Sequence, residues 1–125
     1  MSWRWWCLVL LAVAARADSI PASNGPAMFA AYCAVCHGRD GQGNGPVASA
    51  LKTPPTDLTQ LARKNGGKFP ALKVFTVIQG DRLGGPHGSR EMPIWGNLFR
   101  GLGSPETVTI RVANLAAYIE SLQRK

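Results

Sequence analysis

Acidic residues are scarce. Seven Asp and Glu stand against fourteen Lys and Arg, giving the 125-residue chain a formal net charge of +7. Cysteine is scarcer still: three in all are too few for a disulfide-stapled scaffold. Two histidines leave little material for a zinc site built from several ligands. No apolar run reaches the roughly 20 residues that a membrane-spanning helix needs. Charged residues make up 17% and apolar residues 46%, which suits a packed core and argues against disorder. Fourteen glycines and nine prolines without a Gly-X-Y period point to a loop-rich domain and exclude a collagen-like one. The length allows one domain and no separate substrate domain.

The first residues stand apart from that domain. Arg4 supplies a positive start, Trp5 to Ala15 an uncharged apolar run, and Ala15-Arg16-Ala17 a cleavage pattern. The expectation is a secretory signal over 1–17 and a mature domain over 18–125. Cys7 opens the apolar run, where a lipid-attachment cysteine would close it. Removal of 1–17 takes away Arg4, Cys7 and Arg16, leaving two cysteines and a net charge of about +5. An exported chain meets an oxidising compartment, so the two remaining thiols need a defined fate.

Those two are Cys33 and Cys36, in Cys33-Ala34-Val35-Cys36-His37. C-x-x-C-H is the attachment pattern of c-type haem. Two cysteines three apart on a helical turn can each form a thioether to one vinyl group of the same porphyrin. His37 then falls under the ring and offers a nitrogen to iron. A thioredoxin-like pair needs a βαβ context, a zinc site needs a second ligand pair, and a plain disulfide leaves His37 unexplained. The glycine-rich stretch Gly38 to Pro46 lets the backbone turn close to a flat ring.

For the sixth ligand the mature chain offers Met28, His87 and Met92. Met28 precedes Cys33 on the same helix and lies on the attachment side. Met92 sits in Arg90-Glu91-Met92-Pro93-Ile94-Trp95-Gly96, where Pro93 holds the residue before it extended. Met92 is the expected ligand. His87 and a five-coordinate iron are the alternatives, and loop or core filler is the ordinary role of such a methionine.

At this point the chain resembles the class I, monohaem, His/Met cytochromes c of the bacterial periplasm. The resemblance rests on C33-A-V-C-H37-G, on the glycine-rich loop ending in Gly45-Pro46, and on Met92-Pro93-x-Trp95-Gly96. It implies an all-α cytochrome c fold, about four helices around one haem attached through Cys33 and Cys36. It implies that the N- and C-terminal helices cross through Gly25, Phe29, Leu115 and Tyr118. It implies that the Pro46 carbonyl accepts the second N–H of His37. Trp95 is either a propionate contact or simple packing. Arg82 and Arg90 are either propionate partners or solvated charge. Pro54-Pro55-Thr56-Asp57-Leu58 is similar to small bacterial cytochromes, including haem subunits of larger respiratory complexes.

Capping signals divide the remainder. Pro26 opens a helix that runs to Cys36, with Asn24 or Gly25 as its cap. Residues 38–55 read as loop. Asp57 to Gln60 reads as a capping box before a short helix ended by Asn65-Gly66-Gly67. A further helix starts near Pro70, carries Leu72, Phe75, Val77 and Ile78, and closes at Gly80; residues 81–97 read as loop. Ser104 and Pro105 start a last helix with one apolar stripe: Val108, Val112, Leu115, Ile119 and Leu122.

Two bound axial ligands leave iron no open position, so the expected function is one-electron transfer without an enzymatic role. The expected location is the periplasm. The expected partners are redox proteins with acidic surfaces, approached by cations such as Lys52, Arg63, Lys64, Lys68, Lys73, Arg82 and Arg90. The absence of a basic-aromatic motif argues against nucleic acid. A diffusible monomer is the first reading. The alternative is a fixed haem subunit of a dehydrogenase or oxidase complex, seated through an apolar patch at Ile94, Leu98, Phe99 and Leu102. A gas sensor or haem enzyme is a third. A chain this small buries modest area, so the apo form is expected to be partly or wholly unfolded.

Overall fold

The computed structural model describes residues 20–80 and 92–125. The expected signal (1–17), His87, Arg82 and Arg90 lie outside them. Every regular element among the described residues is helical. In chain order these are α1 (Gly25–Met28), a π-helical turn (Phe29–Cys33), α2 (Ala34–His37), 3-10 turns at Ala48–Ala50 and Leu58–Gln60, α3 (Leu61–Lys64), α4 (Ala71–Gln79), α5 (Trp95–Arg100) and α6 (Pro105–Ser121).

The first three run on as one N-terminal helix. Asn24 starts it, its Oδ1 accepting from the Ala27 N–H at 3.0 Å, with Pro26 in the first turn where a missing donor costs nothing. Gly38 ends it with φ of 79°. The π-helical turn ends on Cys33, the first of the C-x-x-C-H residues: the Ala34 N–H donates to the Phe29 carbonyl, one residue further back than in an α-helix. Residue counting at 3.6 per turn cannot foresee that extra residue.

Helix α6 is the other half of the scaffold. Ser104 caps it, its Oγ accepting from the Thr107 N–H at 3.3 Å, and Pro105 occupies the first position. Val108, Val112, Leu115 and Ile119 are buried along one stripe. The N-terminal helix crosses it at Gly25, where a Cβ would lie 2.6 Å from the Asn114 carbonyl oxygen. Only glycine allows that approach. Phe29 meets Tyr118 edge-on at 5.2 Å and is itself fully buried. The expected crossing through Gly25, Phe29, Leu115 and Tyr118 is therefore present. Buried Arg111 ties down the segment before α1, its Nη1 donating to the Ile20 carbonyl at 2.7 Å. Asn114 Nδ2 does the same to the Ala22 carbonyl at 3.1 Å.

The middle of the chain fills the remaining side. Asp57 opens the Leu58–Gln60 turn, its Oδ1 accepting from the Thr59 N–H at 2.9 Å and the Thr59 hydroxyl at 2.6 Å. Helix α4 buries Val74 and Ile78 against α6 and ends at Gly80, whose φ of 87° needs glycine. Leu72, expected on its buried face, is 76% exposed. Position 72 lies two residues, and thus about 200°, from Val74 on the helical wheel, so a core built on 74 and 78 turns it outward.

The stretch read as loop to residue 97 contains the start of a helix. Helix α5 begins at Trp95 and keeps a glycine, Gly96, in its first turn. Glycine weakens an isolated helix by about 1 kcal/mol. Here packing prevails: a Cβ at Gly96 would lie 2.2 Å from the Gln79 carbonyl oxygen. Among the described residues no helix is long and apolar enough to cross a membrane.

Candidate functional site

Cys33, Cys36 and His37 lie at the end of the N-terminal helix. A glycine loop folds back over this turn and satisfies its backbone. The Gly43 N–H donates to the His37 carbonyl at 2.7 Å, Gly45 to Cys36 at 3.0 Å, and Val47 to Val35 at 3.2 Å. These carbonyls would otherwise be orphans of a helix C-terminus. The loop lies so close that a Cβ at Gly45 would sit 2.4 Å from the Val35 carbonyl oxygen.

The His37 side chain is buried, at 9% exposure. Its Nδ1 lies 2.9 Å from the Thr56 carbonyl oxygen. A carbonyl only accepts, so Nδ1 carries the proton and Nε2 keeps its lone pair. Burial lowers the pKa of the ring below the ordinary histidine value, partly countered by the bond to Thr56. Burial, the larger effect, favours the neutral imidazole and the bond to Thr56 orients it, which is the form that ligates a metal. The expected acceptor, Pro46, is not the one used. Pro46 is exposed and lines a cavity of about 520 Å³ with Ala30, Ala34 and Val35. The family resemblance implies Pro46; the carbonyl that meets the ring belongs to Thr56, in the later proline-bearing stretch. The capping of the Leu58–Gln60 turn by Asp57, through Thr59, and the donation of the Leu58 N–H to the Gly41 carbonyl at 2.7 Å bring this stretch to the histidine.

Cys33 and Cys36 are both unbridged. Burial, with Cys36 alongside, pushes the Cys33 thiol up to about 12. A thiolate is costly in such a setting, whereas a thioether, which carries no charge, is not. The donor set and its surroundings thus fit a covalently held haem: two uncharged sulfurs on one turn and an imidazole with Nε2 available.

Met92 is half-buried and precedes α5. Packing fixes its neighbours. Ile94 crosses Gly80, where a Cβ would lie 2.2 Å from the Ile94 Cγ2. Trp95 stands 5.6 Å from Tyr32 and 6.3 Å from Phe99, and Tyr32 is 5.5 Å from Phe99. Tyr32 belongs to the N-terminal helix one residue before Cys33, so the aromatic trio joins the Met92 segment to the attachment turn. Among the described contacts Trp95 has a packing role. Met28 is fully buried beside Arg111 and belongs to the core.

Residues 21–81 match the family described as cytochrome C oxidase, cbb3-type, subunit III. This is a c-type cytochrome. No curated protein and no solved structure matches the chain. The matched span holds the N-terminal helix, the glycine loop and Thr56, which together position His37, and also α4. The cytochrome c domain transfers electrons through haem c. A haem bound here would supply a one-electron Fe(III)/Fe(II) change; Cys33, Cys36 and His37 are the residues that would hold it, with Thr56 fixing the imidazole tautomer. Among the described residues no group of three or more His, Cys, Asp and Glu is placed to hold a metal ion.

Proposed function

We propose that the mature chain, 18–125, is an exported electron carrier of the periplasm. Its one haem is held by thioethers from Cys33 and Cys36, with His37 and Met92 as axial ligands. The hydrogen bond from His37 Nδ1 to the Thr56 carbonyl carries this reading, because it prepares the ring nitrogen next to the cysteine pair for iron. The residues just after Met92, with Ile94 packed on Gly80 and Trp95 against Tyr32, support the thioether as the second ligand. With both positions filled no site is open for oxygen or peroxide, so the chain is a carrier and not itself an enzyme. A thioether ligand and a buried ring both favour the reduced state and raise the potential. Partners are redox proteins with acidic surfaces, matched to the basic charge of the chain.

The test is the optical spectrum of protein from a cytochrome-maturing host, wild type and Met92→Ala. Sharp low-spin reduced bands, with a far-red sulfur-to-iron band lost in the variant, are expected. A high-spin wild-type spectrum overturns the ligand set.

One observation favours a second reading, the fixed subunit of a larger complex. Ile94, Leu98 and Leu102 follow one another at helical spacing and are 41%, 46% and 46% exposed. Phe99, expected among them, is fully buried against Tyr32 and Trp95 and leaves the patch. Co-elution of the native protein with a much larger enzyme on gel filtration would favour this reading over the free carrier.

A further inference from the structure

Outside the haem site, cations concentrate where the residues after α6 lie along α3. Gln123 fastens this contact. Its Oε1 accepts from the Ala62 N–H at 2.9 Å and its Nε2 donates to the Leu58 carbonyl at 2.6 Å. The Arg124 N–H donates to the Thr59 carbonyl at 3.0 Å. Two segments more than sixty residues apart in sequence are thereby laid side by side. Arg63, Lys64 and Lys68 come from the first, Arg124 and Lys125 from the second, and all five are exposed. Asp57 lies among them, its carboxyl held below the usual carboxylate range first by the Thr59 hydroxyl and then, among smaller effects, by Arg124 and Lys64. It is the one acidic side chain between residues 57 and 68, and none follows Glu120.

The position of this surface is specific. Asp57 follows Thr56, whose carbonyl accepts the His37 N–H. The surface thus sits behind the histidine, on an element different from the Met92 segment and its apolar stripe. Among the described residues none of the exposed large apolar side chains falls within it; those are Val35, Val47, Leu72, Ile94, Leu98, Leu102 and Ile110. A segment lying in a bilayer interface needs an apolar face beside its cations. A dense cationic surface without one suits the carboxylates of another protein.

We infer that Arg63, Lys64, Lys68, Arg124 and Lys125 form a docking surface for an acidic protein, on the His37 side of the molecule. This rests on the reading of the chain as a carrier that meets acidic redox partners. The surface guides encounter by charge and is weakened by salt.

The test uses the holoprotein and, as probe, a reduced blue-copper protein with an acidic face, mixed by stopped flow across a range of ionic strength. Arg63→Glu/Lys64→Glu is compared with Lys73→Glu/Arg100→Glu, which changes net charge equally on α4 and α5. The single variant Arg124→Glu covers the case in which the double variant folds poorly. The expected result is a low-salt rate constant about tenfold lower for the α3 pair, a smaller loss for Arg124→Glu, and a flatter salt dependence for both. The rates should converge with wild type at high salt. Equal losses in both double variants would mean that net charge alone matters, and would overturn the inference. So would unchanged rates, or sedimentation of the protein with phosphatidylglycerol vesicles in the absence of any effect on the copper-protein rate. Reduction by a small uncharged reagent separates the two levels. A protein that cycles with the reagent but shows no variant effect loses only the docking surface; one that does not cycle loses the carrier reading as well.

Discussion

The two sides of the candidate haem site are held by different forces. On the His37 side the backbone does the holding: three loop N–H groups close on the carbonyls of the attachment turn, and Thr56 fixes the ring. On the Met92 side the described anchors are apolar, with Ile94 on Gly80, Gly96 against Gln79, and Trp95 beside Tyr32 and Phe99. Hydrogen bonds are directional, so they specify one orientation of an imidazole. Packing specifies volume more than direction, which is sufficient for a thioether with its flexible stem. The comparison teaches that the histidine is preorganised by hydrogen bonds with the loop that follows it, whereas the Met92 segment depends on packing against elements more distant in sequence.

The largest test removes what both sides share. Without haem, as in Cys33→Ala/Cys36→Ala, the chain is expected to lose most of its helix and its cooperative melt. Far-UV circular dichroism reads this, and native helix content in the apo form would show that the two sides stand without the ring. Next come the two fully buried phenylalanines. Phe29→Ala and Phe99→Ala should each cost about 3–5 kcal/mol in denaturant melts of the holoprotein. Phe29→Ala should leave the far-red sulfur-to-iron band in place, and Phe99→Ala should weaken it. An equal effect of both on the band would erase the distinction between the sides.

A smaller pair is Gly45→Ala and Gly96→Ala, each of which forces a Cβ onto backbone. Each should cost about 1–3 kcal/mol, and only Gly96→Ala should make the band easier to lose on warming. The smallest effect is that of Asp57→Ala, about 1 kcal/mol for a lost cap. The Asp57 carboxyl is held below its ordinary value in the folded chain. Its contribution is therefore complete above the ordinary carboxylate range and fades as pH falls through the folded value. Urea melts of wild type and Asp57→Ala should differ at neutral pH and draw together in acid.

How much was legible in the sequence follows the same division. The attachment turn, the caps at Asn24, Asp57 and Ser104, and the α6 stripe are local signals, and each appears where the residues place it. The crossing at Gly25 came from family resemblance and is present. What local reading missed is set by tertiary contact. The acceptor for His37 depends on which strand of loop returns to the ring, and Thr56 replaces Pro46. Helix α5 exists although Gly96 opposes it, because the end of α4 leaves space for no larger residue. Leu72 faces outward because Val74 and Ile78 took the inner face, and Phe99 faces inward because Tyr32 and Trp95 receive it.

The tie between Arg111 and Ile20 joins residues 91 apart along the chain. Phe29 likewise waits for Tyr118 on α6. The helix that emerges early in synthesis thus has its partner in one that emerges late. Closing so long a loop is slow relative to local helix formation. While the chain is being made, its first helix therefore precedes the residues that bury its apolar face. The cysteine pair stays accessible until α6 arrives to cover the helix that bears it.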